Sequence, residues 1–204
     1  MGQIRQMKQV SQFAKKFGFG IPLCMGLQML GGPSVQASEI QFGTPGYAGT
    51  ACPLGSGSIV VGEDQKSLRL QFVPVSLDAG HGVPVERKAC SLAIPITVAP
   101  GFKIALNPLE VRGNLSLSSG ARAQLRLETF WIEEAFPRTS EKKFEGALSE
   151  SFEWKAQIST YSRCGGPTTL RINFSALVQA GGPKAGSMKL DQFGDLQFQI
   201  RTCH

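Results

Sequence analysis

Three glutamates beside two aromatic residues are the best candidates for catalysis in this sequence. Glu128, Glu133 and Glu134 surround Phe130 and Trp131. A glycosidase needs two carboxylates at the sugar, one of them with a raised pKa, and the two rings could stack on that sugar. Solvated carboxylates at the end of a strand, beside core aromatics, are the more common arrangement. The cluster therefore supports only a second hypothesis, a carbohydrate-active enzyme, and we assign no catalytic residue.

Histidine and cysteine spacing offer little other chemistry. His81 follows Asp78 by three residues, but a Ser-His-Asp triad needs a histidine held by a carboxylate, and an exposed loop histidine is the simpler interpretation. No pair of cysteines has the C-x-x-C spacing of a zinc site. Neither glycine-rich nucleotide-binding motif is present. We therefore predict no metal and no cofactor.

Planar polar side chains recur opposite the apolar residues of the predicted strands. Arg, Asn and Gln carry several donors in a fixed plane, which suits sugar hydroxyls or carboxylates. We predict a face that binds envelope glycan or another surface partner, provided that the three arginines numbered 112, 122 and 171 share one sheet. An ordinary solvated sheet face is the alternative. The predicted face contains Arg112, Asn114, Arg122, Arg126, Arg171 and Asn173.

Strands must position these side chains, because apolar and polar residues alternate along most of the chain. No window sustains helical periodicity, and turn residues separate the alternating segments. This pattern predicts an all-β fold, an antiparallel β-sandwich or jelly roll of about eight strands. The clearest strands are expected at 58–62, 67–73, 92–98, 102–106, 111–117, 123–127, 170–174 and 196–200, with weaker alternation over 149–161.

Three segments depart from the alternation. Residues 38–51 are rich in glycine and predict a flexible N-terminal arm. Residues 129–136 break the phase of the preceding strand, which predicts a bulge or a strand buried on both faces. Residues 137–146 are the most charged stretch and predict an exposed loop.

Residues 1–37 predict a secretory signal peptide. Four bases and no acid precede or flank an apolar run over 17–30, which is too short to span a bilayer. Small residues at Val35 and Ala37 predict cleavage after Ala37, and an uncleaved anchor is the alternative. We therefore predict a secreted protein, extracellular or periplasmic, with no transmembrane segment after cleavage.

Removal of the leader changes the charge of the chain. The formal charge of the full chain is +6; without the leader, the 21 Lys and Arg become 17 against 15 Asp and Glu, a net charge of +2. The remaining bases are scattered, whereas phosphate backbones are bound by clustered bases. We predict no nucleic-acid partner.

Four cysteines remain after the leader, an even number that predicts two disulfides in an exported protein. In an antiparallel meander, the first and third strands start at the same end, which favours Cys52–Cys90. Cys164 precedes one strand and Cys203 ends its expected hairpin partner, which favours Cys164–Cys203. The two other pairings and free thiols stay open. Each loop of about forty residues would stabilise the fold by about 3–4 kcal/mol.

The cysteines lie in an ordered set of short phrases that resembles a family of small secreted proteins, catalogued as domain of unknown function 4360. The resemblance covers about residues 48–204 and implies an exported, four-cysteine, β-rich domain without an established activity. Ala89 and the charged segment 137–146 depart from the pattern. The phrases are Cys52-Pro53-Leu54-Gly55-Ser56, Arg87-Lys88-Ala89-Cys90, Pro100-Gly101-Phe102, Arg112-Gly113, Cys164-Gly165 and Arg201-Thr202-Cys203.

Together these observations favour a secreted, non-enzymatic β-domain that acts at the cell envelope, with residues 52–204 forming a single β-sandwich domain. A carbohydrate-active enzyme is the second hypothesis. A secreted inhibitor that presents residues 137–146 or 76–89 as a loop is the third.

Overall fold

The structure is a computed structural model, and it describes residues 38–158, 160–182 and 185–203. The predicted signal peptide lies outside these residues. The described residues form fourteen strands and no helix, which confirms the all-β prediction with more strands than the eight expected. The strands are β1 Ile40–Phe42, β2 Gly46–Ala48, β3 Gly57–Val61, β4 Ser67–Phe72, β5 Val75–Ala79, β6 Val85–Val98, β7 Phe102–Leu106, β8 Leu109–Leu117, β9 Arg122–Trp131, β10 Arg138–Glu145, β11 Leu148–Ala156, β12 Gly166–Gln179, β13 Gly186–Phe193 and β14 Leu196–Thr202.

The strands form three antiparallel sheets. Sheet A has the order β1-β6-β12-β9-β10, and β2 also pairs with β6. Sheet B has the order β11-β8-β13-β5, and sheet C has the order β3-β4-β14-β7. The long strand β12 pairs with β6 along one edge and with β9 along the other, so the centre of sheet A is built from segments far apart in the chain.

Sheets A and B pack face to face as a sandwich. Phe174 of β12 meets Phe193 of β13 at 4.9 Å between ring centroids, and Phe144 of β10 meets Phe152 of β11 at 5.0 Å. Inward residues of both sheets belong to one buried cluster. Burial of each large apolar side chain contributes roughly 1.5–3 kcal/mol. The largest of them include Leu125, Leu127, Leu170, Ile172, Met188 and Trp131.

Sheet C joins this sandwich through aromatic contacts and both disulfides. Phe42 of β1 lies 5.4 Å from Phe198 of β14, between ring centroids. The bridges are Cys52–Cys90 and Cys164–Cys203, with Cα–Cα distances of 5.4 and 6.1 Å. This pairing is the one the sequence favoured. Each bridge links a segment beside sheet C to sheet A or to the segment that leads into it, whereas neither of these two disulfides of the described residues reaches a strand of sheet B.

The charged segment 137–146 is a strand, so the prediction of an exposed loop is wrong. It contains β10, which pairs with β9 over its whole length. As the edge strand of sheet A, β10 leaves most side chains in water, and only Phe144 is buried. Charged side chains on an edge strand also discourage pairing with another chain. Composition alone could not separate such a strand from a loop.

The predicted bulge over 129–136 is also absent. Every second residue of β9 is buried up to Trp131, and its pairing with β12 has no register shift. Thr129, a polar residue at 1% exposure, occupies an inward position and disguises the alternation. The chain turns only after Trp131.

Two short strands, β1 and β2, lie within the segment 38–51 for which the sequence predicts a loose arm. Both pair with β6, and Ile40 is 2% exposed in the core. The glycines of this segment permit close approach instead. A Cβ on Gly49, which has φ +151, would lie 2.1 Å from the carbonyl oxygen of Ala89.

Candidate binding faces

The structure divides the six residues of the predicted binding face between two sheets. Arg112 and Asn114 lie on β8 in sheet B. The other four lie in sheet A, on β9 and β12. The condition that the three arginines share one sheet is therefore not met. Alternation identifies which residues point outward, but it does not identify the sheet to which a strand belongs. The sheet A members are Arg122, Arg126, Arg171 and Asn173.

Strand pairing in sheet A gathers polar side chains from three strands. Asn173 of β12 lies between Ser91 of β6 and Glu128 of β9. Two residues further along β12, Ser175 lies between Ala89 and Arg126. Neighbouring strands are about 4.8 Å apart. The outward side chains of these two rows therefore form one continuous patch.

Small side chains lower the centre of this patch. Ala89, Ser91 and Ser175 form the floor of a shallow cavity of about 290 Å³, which we call the Asn173 depression. Its volume is at the lower end of the roughly 300–1,000 Å³ typical of small-ligand sites. Longer side chains form its rim, namely Arg87, Arg126, Glu128 and Asn173.

The rim contains both occupied and available polar groups. Arg126 Nε donates to Glu128 Oε1 at 3.0 Å, and Arg126 Nη1 lies 3.4 Å from Glu141 Oε1. By contrast, Arg87 and Asn173 have no side-chain hydrogen bond or ion pair among the residues that the structure describes. An asparagine amide can both donate and accept. The depression therefore presents a guanidinium and an amide to an external molecule.

The outer face of sheet B carries similar polar residues, but there several of the side chains bond to one another. Asn114 Nδ2 donates to Asp191 Oδ2 at 2.6 Å, and Asn114 Oδ1 accepts from Ser151 Oγ at 2.6 Å. Lys189 Nζ lies 3.0 Å from the other oxygen of Asp191. These polar groups bond to one another, so fewer remain for a ligand.

The arginine of sheet B is also occupied. Arg112 Nε donates to Glu153 Oε2 at 3.2 Å, and its Nη2 contacts Glu110. The pKa of Glu153 is lowered, first by a hydrogen bond from Lys155 and then by the charges of Lys155 and Arg112. A lowered pKa means that the folded protein favours the carboxylate form of Glu153.

Sequence analysis missed a row of hydroxyl groups on sheet B. Serines at alternate positions of neighbouring strands line a shallow trough of about 590 Å³. The signal was present, since serine recurs at outward positions of the predicted strands, but it is indistinguishable from ordinary solvated residues. The polar lining consists of Ser76, Asp78, Asn114, Ser116, Ser149, Glu150, Ser151, Ser187 and Lys189.

The glutamates and aromatic residues of the candidate catalytic cluster do not form one site and instead make structural contacts. Trp131 is 1% exposed, so it is the core aromatic that the more common arrangement predicts and it is not available to stack on a sugar. Its backbone N–H donates to Glu134 Oε2 at 3.0 Å, and the hydroxyl of Thr160 donates to the other carboxylate oxygen. Glu134 thus fastens the turn after β9 to the segment before β12.

The two other glutamates also have intramolecular partners. Glu133 Oε2 accepts from the hydroxyl of Thr168 at 2.8 Å, and its Oε1 lies 3.5 Å from Arg163 Nε. Glu128 lies on the outer face of sheet A beside Arg126. No two of these glutamates line a common cavity described above.

His81 serves a turn. Gly80 and Val83 exchange backbone hydrogen bonds of 2.7 and 2.9 Å. His81 and Gly82 between them have φ values of +50° and +96°, as the two-residue hairpin turns that suit twisted strands require. Most of the segment 76–89 is accordingly strand, in β5 and β6, and only residues 80–84 form a loop.

Two searches over the described residues found no further site. No three His, Cys, Asp or Glu side chains there are grouped closely enough to hold a metal ion. The same residues include no helix of the length and hydrophobicity that crossing a membrane would require.

The fold and its bridges define a disulfide-linked, all-β domain with two polar sheet faces. The chain belongs to the family described as Domain of unknown function (DUF4360), whose model matches residues 38–203. This match confirms the resemblance seen in the cysteine phrases.

Two further proteins are similar to the chain. An uncharacterized secreted protein of Arthroderma benhamiae is 22% identical over 175 residues, which cover 83% of this chain and 71% of that protein. The solved structure of TmCBM61 in complex with β-1,4-galactotriose is 12% identical and covers 78% of this chain and 88% of the other, with a TM-score of 0.27. A TM-score this low does not indicate a shared fold.

Proposed function

We propose that the protein is an exported, non-enzymatic domain that binds a polysaccharide of the cell envelope at the Asn173 depression. One observation carries the proposal. The guanidinium of Arg87 and the amide of Asn173 converge on a cavity with a floor of small residues, and neither group has a partner among the described residues.

Export is supported by the chemistry of the cysteines. All four cysteines of the described residues form disulfides, which persist in oxidising compartments and are rare in reducing ones. The relative from Arthroderma benhamiae carries the description secreted. The predicted leader over residues 1–37 would supply the export signal.

The groups in the depression suit a sugar. Each sugar hydroxyl both donates and accepts a hydrogen bond, and the amide of Asn173, the guanidinium of Arg87 and two serine hydroxyls offer both functions within three rows of the sheet. The Asn173 depression is shallow, so a ligand would lie along the outer face of sheet A rather than enter a deep pocket.

Binding is favoured over hydrolysis by the distribution of carboxylates. Among the residues that line the depression, Glu128 supplies one carboxylate, and Arg126 holds it in an ion pair. Glycoside hydrolysis requires two carboxyl groups on either side of the scissile bond. The depression therefore lacks the second group of such a pair.

The experiment uses the oxidised, leaderless chain in sedimentation with insoluble wall polysaccharide and on a neutral glycan array. Asn173→Ala and Arg87→Ala should each weaken retention at least tenfold, whereas Asn114→Ala, the matched asparagine on sheet B, should retain it. Equal retention of all three variants would contradict the proposal. So would binding of the chain to a protein together with no binding to any glycan.

A further inference from the structure

Sheet C carries two positive charges directly opposite each other. Lys103 of β7 and Arg201 of β14 are paired residues in the antiparallel register. Like charges at such positions are destabilising. Neither side chain forms an ion pair with any carboxylate of the described residues.

One aromatic ring lies beside both cations. Lys103 Nζ is 5.3 Å from the ring centroid of Tyr161, and Arg201 Cζ is 5.4 Å from the same centroid. Both distances are within the range of a cation–π interaction. The two cations therefore lie close to one ring, which carries no formal charge that could neutralise either of them. The Tyr161 hydroxyl has no hydrogen-bond partner among the described residues and offers a third donor.

The backbone holds these three residues in place without a ligand. Tyr161 forms a bridge with Ala105 of β7, and the N–H of Ser162 donates to the Ile104 carbonyl at 2.7 Å. The Cys164–Cys203 disulfide joins the segment after Tyr161 to the end of β14. A preorganised group of donors loses little freedom when it binds.

We propose that Lys103, Arg201 and Tyr161 form a binding site for an oxyanion, the carboxylate or phosphate group of an acidic polymer. A guanidinium can bind either group through two parallel hydrogen bonds, whereas an ammonium acts as a point charge. The bound anion would offset the repulsion within the pair. This site is on sheet C and does not depend on the Asn173 depression of sheet A.

The first experiment measures affinity for three polymers at low ionic strength: polygalacturonate, which carries carboxylates; polyphosphate, which carries phosphates; and neutral dextran. Lys103→Gln and Arg201→Gln together should weaken binding of at least one polyanion tenfold or more. Arg69→Gln is the matched control, because Arg69 is on the same sheet but lies 3.6 Å from Asp195. Its affinity should stay within twofold of the wild-type value.

The polymer that responds identifies the source of the oxyanion. Unchanged affinity for both polyanions in the double variant would overturn the proposal, as would an equal loss in Arg69→Gln, since that result would indicate diffuse charge alone. Asn173→Ala should leave polyanion affinity unchanged. Failure at one site is thereby distinguishable from failure at the other.

A thermal unfolding series checks that the pair is a site rather than a structural contact. Inorganic phosphate, added at constant ionic strength, should raise the unfolding midpoint of the wild-type chain and of Arg69→Gln. Lys103→Gln removes both the repulsion and the cation–π contact with Tyr161, so its midpoint without phosphate should stay near the wild-type value, and it should gain less from phosphate. An undiminished phosphate response in Lys103→Gln would overturn the proposal.

Discussion

The outer faces of sheets A and B carry similar polar residues, but they differ in whether the central asparagine is hydrogen-bonded to other side chains. Each presents an asparagine on a central strand, flanked by serines and arginine. On sheet B, Asn114 is bonded to Asp191 and Ser151. On sheet A, Asn173 lies between Ser91 and Glu128, and its side chain hydrogen-bonds to neither of them.

This difference shows that the availability of polar groups, rather than their number, distinguishes the two faces. Polar side chains that bond to one another stabilise a fold modestly, by roughly 0.5–1.5 kcal/mol for each hydrogen bond. Groups without such partners contribute little to stability and remain free for a ligand. Sheet B is therefore the face with the hydrogen-bonded asparagine, and sheet A is the face to which we assign recognition in the proposed function.

The largest effect is expected from the disulfides, which anchor sheet A but not sheet B. Replacement of both cysteines in Cys164–Cys203 by serine should lower the free energy of unfolding by about 3–4 kcal/mol, because the unfolded chain gains freedom over a loop of about forty residues. Urea denaturation measures the change. A loss under about 1 kcal/mol would show that the Cys164–Cys203 bridge adds little to the contacts and the Cys52–Cys90 bridge that also hold sheet C to sheet A.

The next largest effect is expected from a bulky substitution on the floor of the Asn173 depression, which should affect glycan retention on one face only. Ser175→Phe places a ring where the ligand would lie, and we expect glycan retention to fall at least tenfold, about 1.4 kcal/mol. Ser187→Phe, on the central part of sheet B, should leave retention intact. Similar losses in both variants would remove the functional distinction between the faces.

The energetic difference between hydrogen-bonded and unbonded polar groups can also be tested with two buried threonines of sheet A. Thr129 is buried, and its Oγ1 has no hydrogen-bond partner among the described residues. Thr129→Val should raise the free energy of unfolding by about 1 kcal/mol, since an unsatisfied hydroxyl is replaced by a methyl group.

Thr168 is the matched control, because its buried hydroxyl donates to Glu133. Thr168→Val should lower the free energy of unfolding by about 1–3 kcal/mol, as a hydrogen bond to a charged group is lost. Chemical denaturation of both variants checks the pair. Destabilisation by Thr129→Val would mean that its hydroxyl has a partner.

Substitution of the asparagine on each face should change the free energy of unfolding by smaller and unequal amounts. Asn114→Ala breaks two hydrogen bonds and should lower the free energy of unfolding by about 1 kcal/mol. Asn173→Ala should change it by less than about 0.5 kcal/mol, as expected for surface positions without such contacts. A reversed order in the denaturation midpoints would contradict the assignment of recognition to sheet A.

The smallest expected effect is the pH dependence that Glu153 adds to sheet B. Its pKa is lowered in the folded protein by Lys155 and Arg112, so the carboxylate stabilises the fold above the unfolded-state pKa. This contribution is lost as the pH falls through the lowered pKa. Unfolding midpoints of wild type and Glu153→Gln should differ at pH 7 and converge in acid below the ordinary value of 4.5. Divergence on acidification would show the opposite sign.

Much of the fold was predictable because the informative patterns are local. Alternation identified Leu125 and Leu127 as inward residues of β9, and both are fully buried. The favoured disulfide pairing was confirmed, but the strand arrangement used to favour it was wrong, because β12 and β14 lie in different sheets and are not hairpin partners. Two errors have identifiable causes, one local and one set by position in the sheet. Thr129 places a polar group in the interior, and β10 is a strand whose edge position permits charges on both faces.

The candidate sites were harder to predict, because they depend on neighbours distant in the chain. Asn173 was identified as outward and polar, but its position between Ser91 and Glu128 follows from pairing of β12 with both β6 and β9. The opposition of Lys103 and Arg201 arises in the same way, from two strands almost a hundred residues apart.

The sequence by itself determined the secondary structure class and the inward face of the clearest strands, because side-chain direction in a strand repeats every two residues. Only the tertiary structure decided which outward residues became neighbours, since hydrogen bonding between strands ignores their separation along the chain. That choice left the amide of Asn173 available and occupied the amide of Asn114.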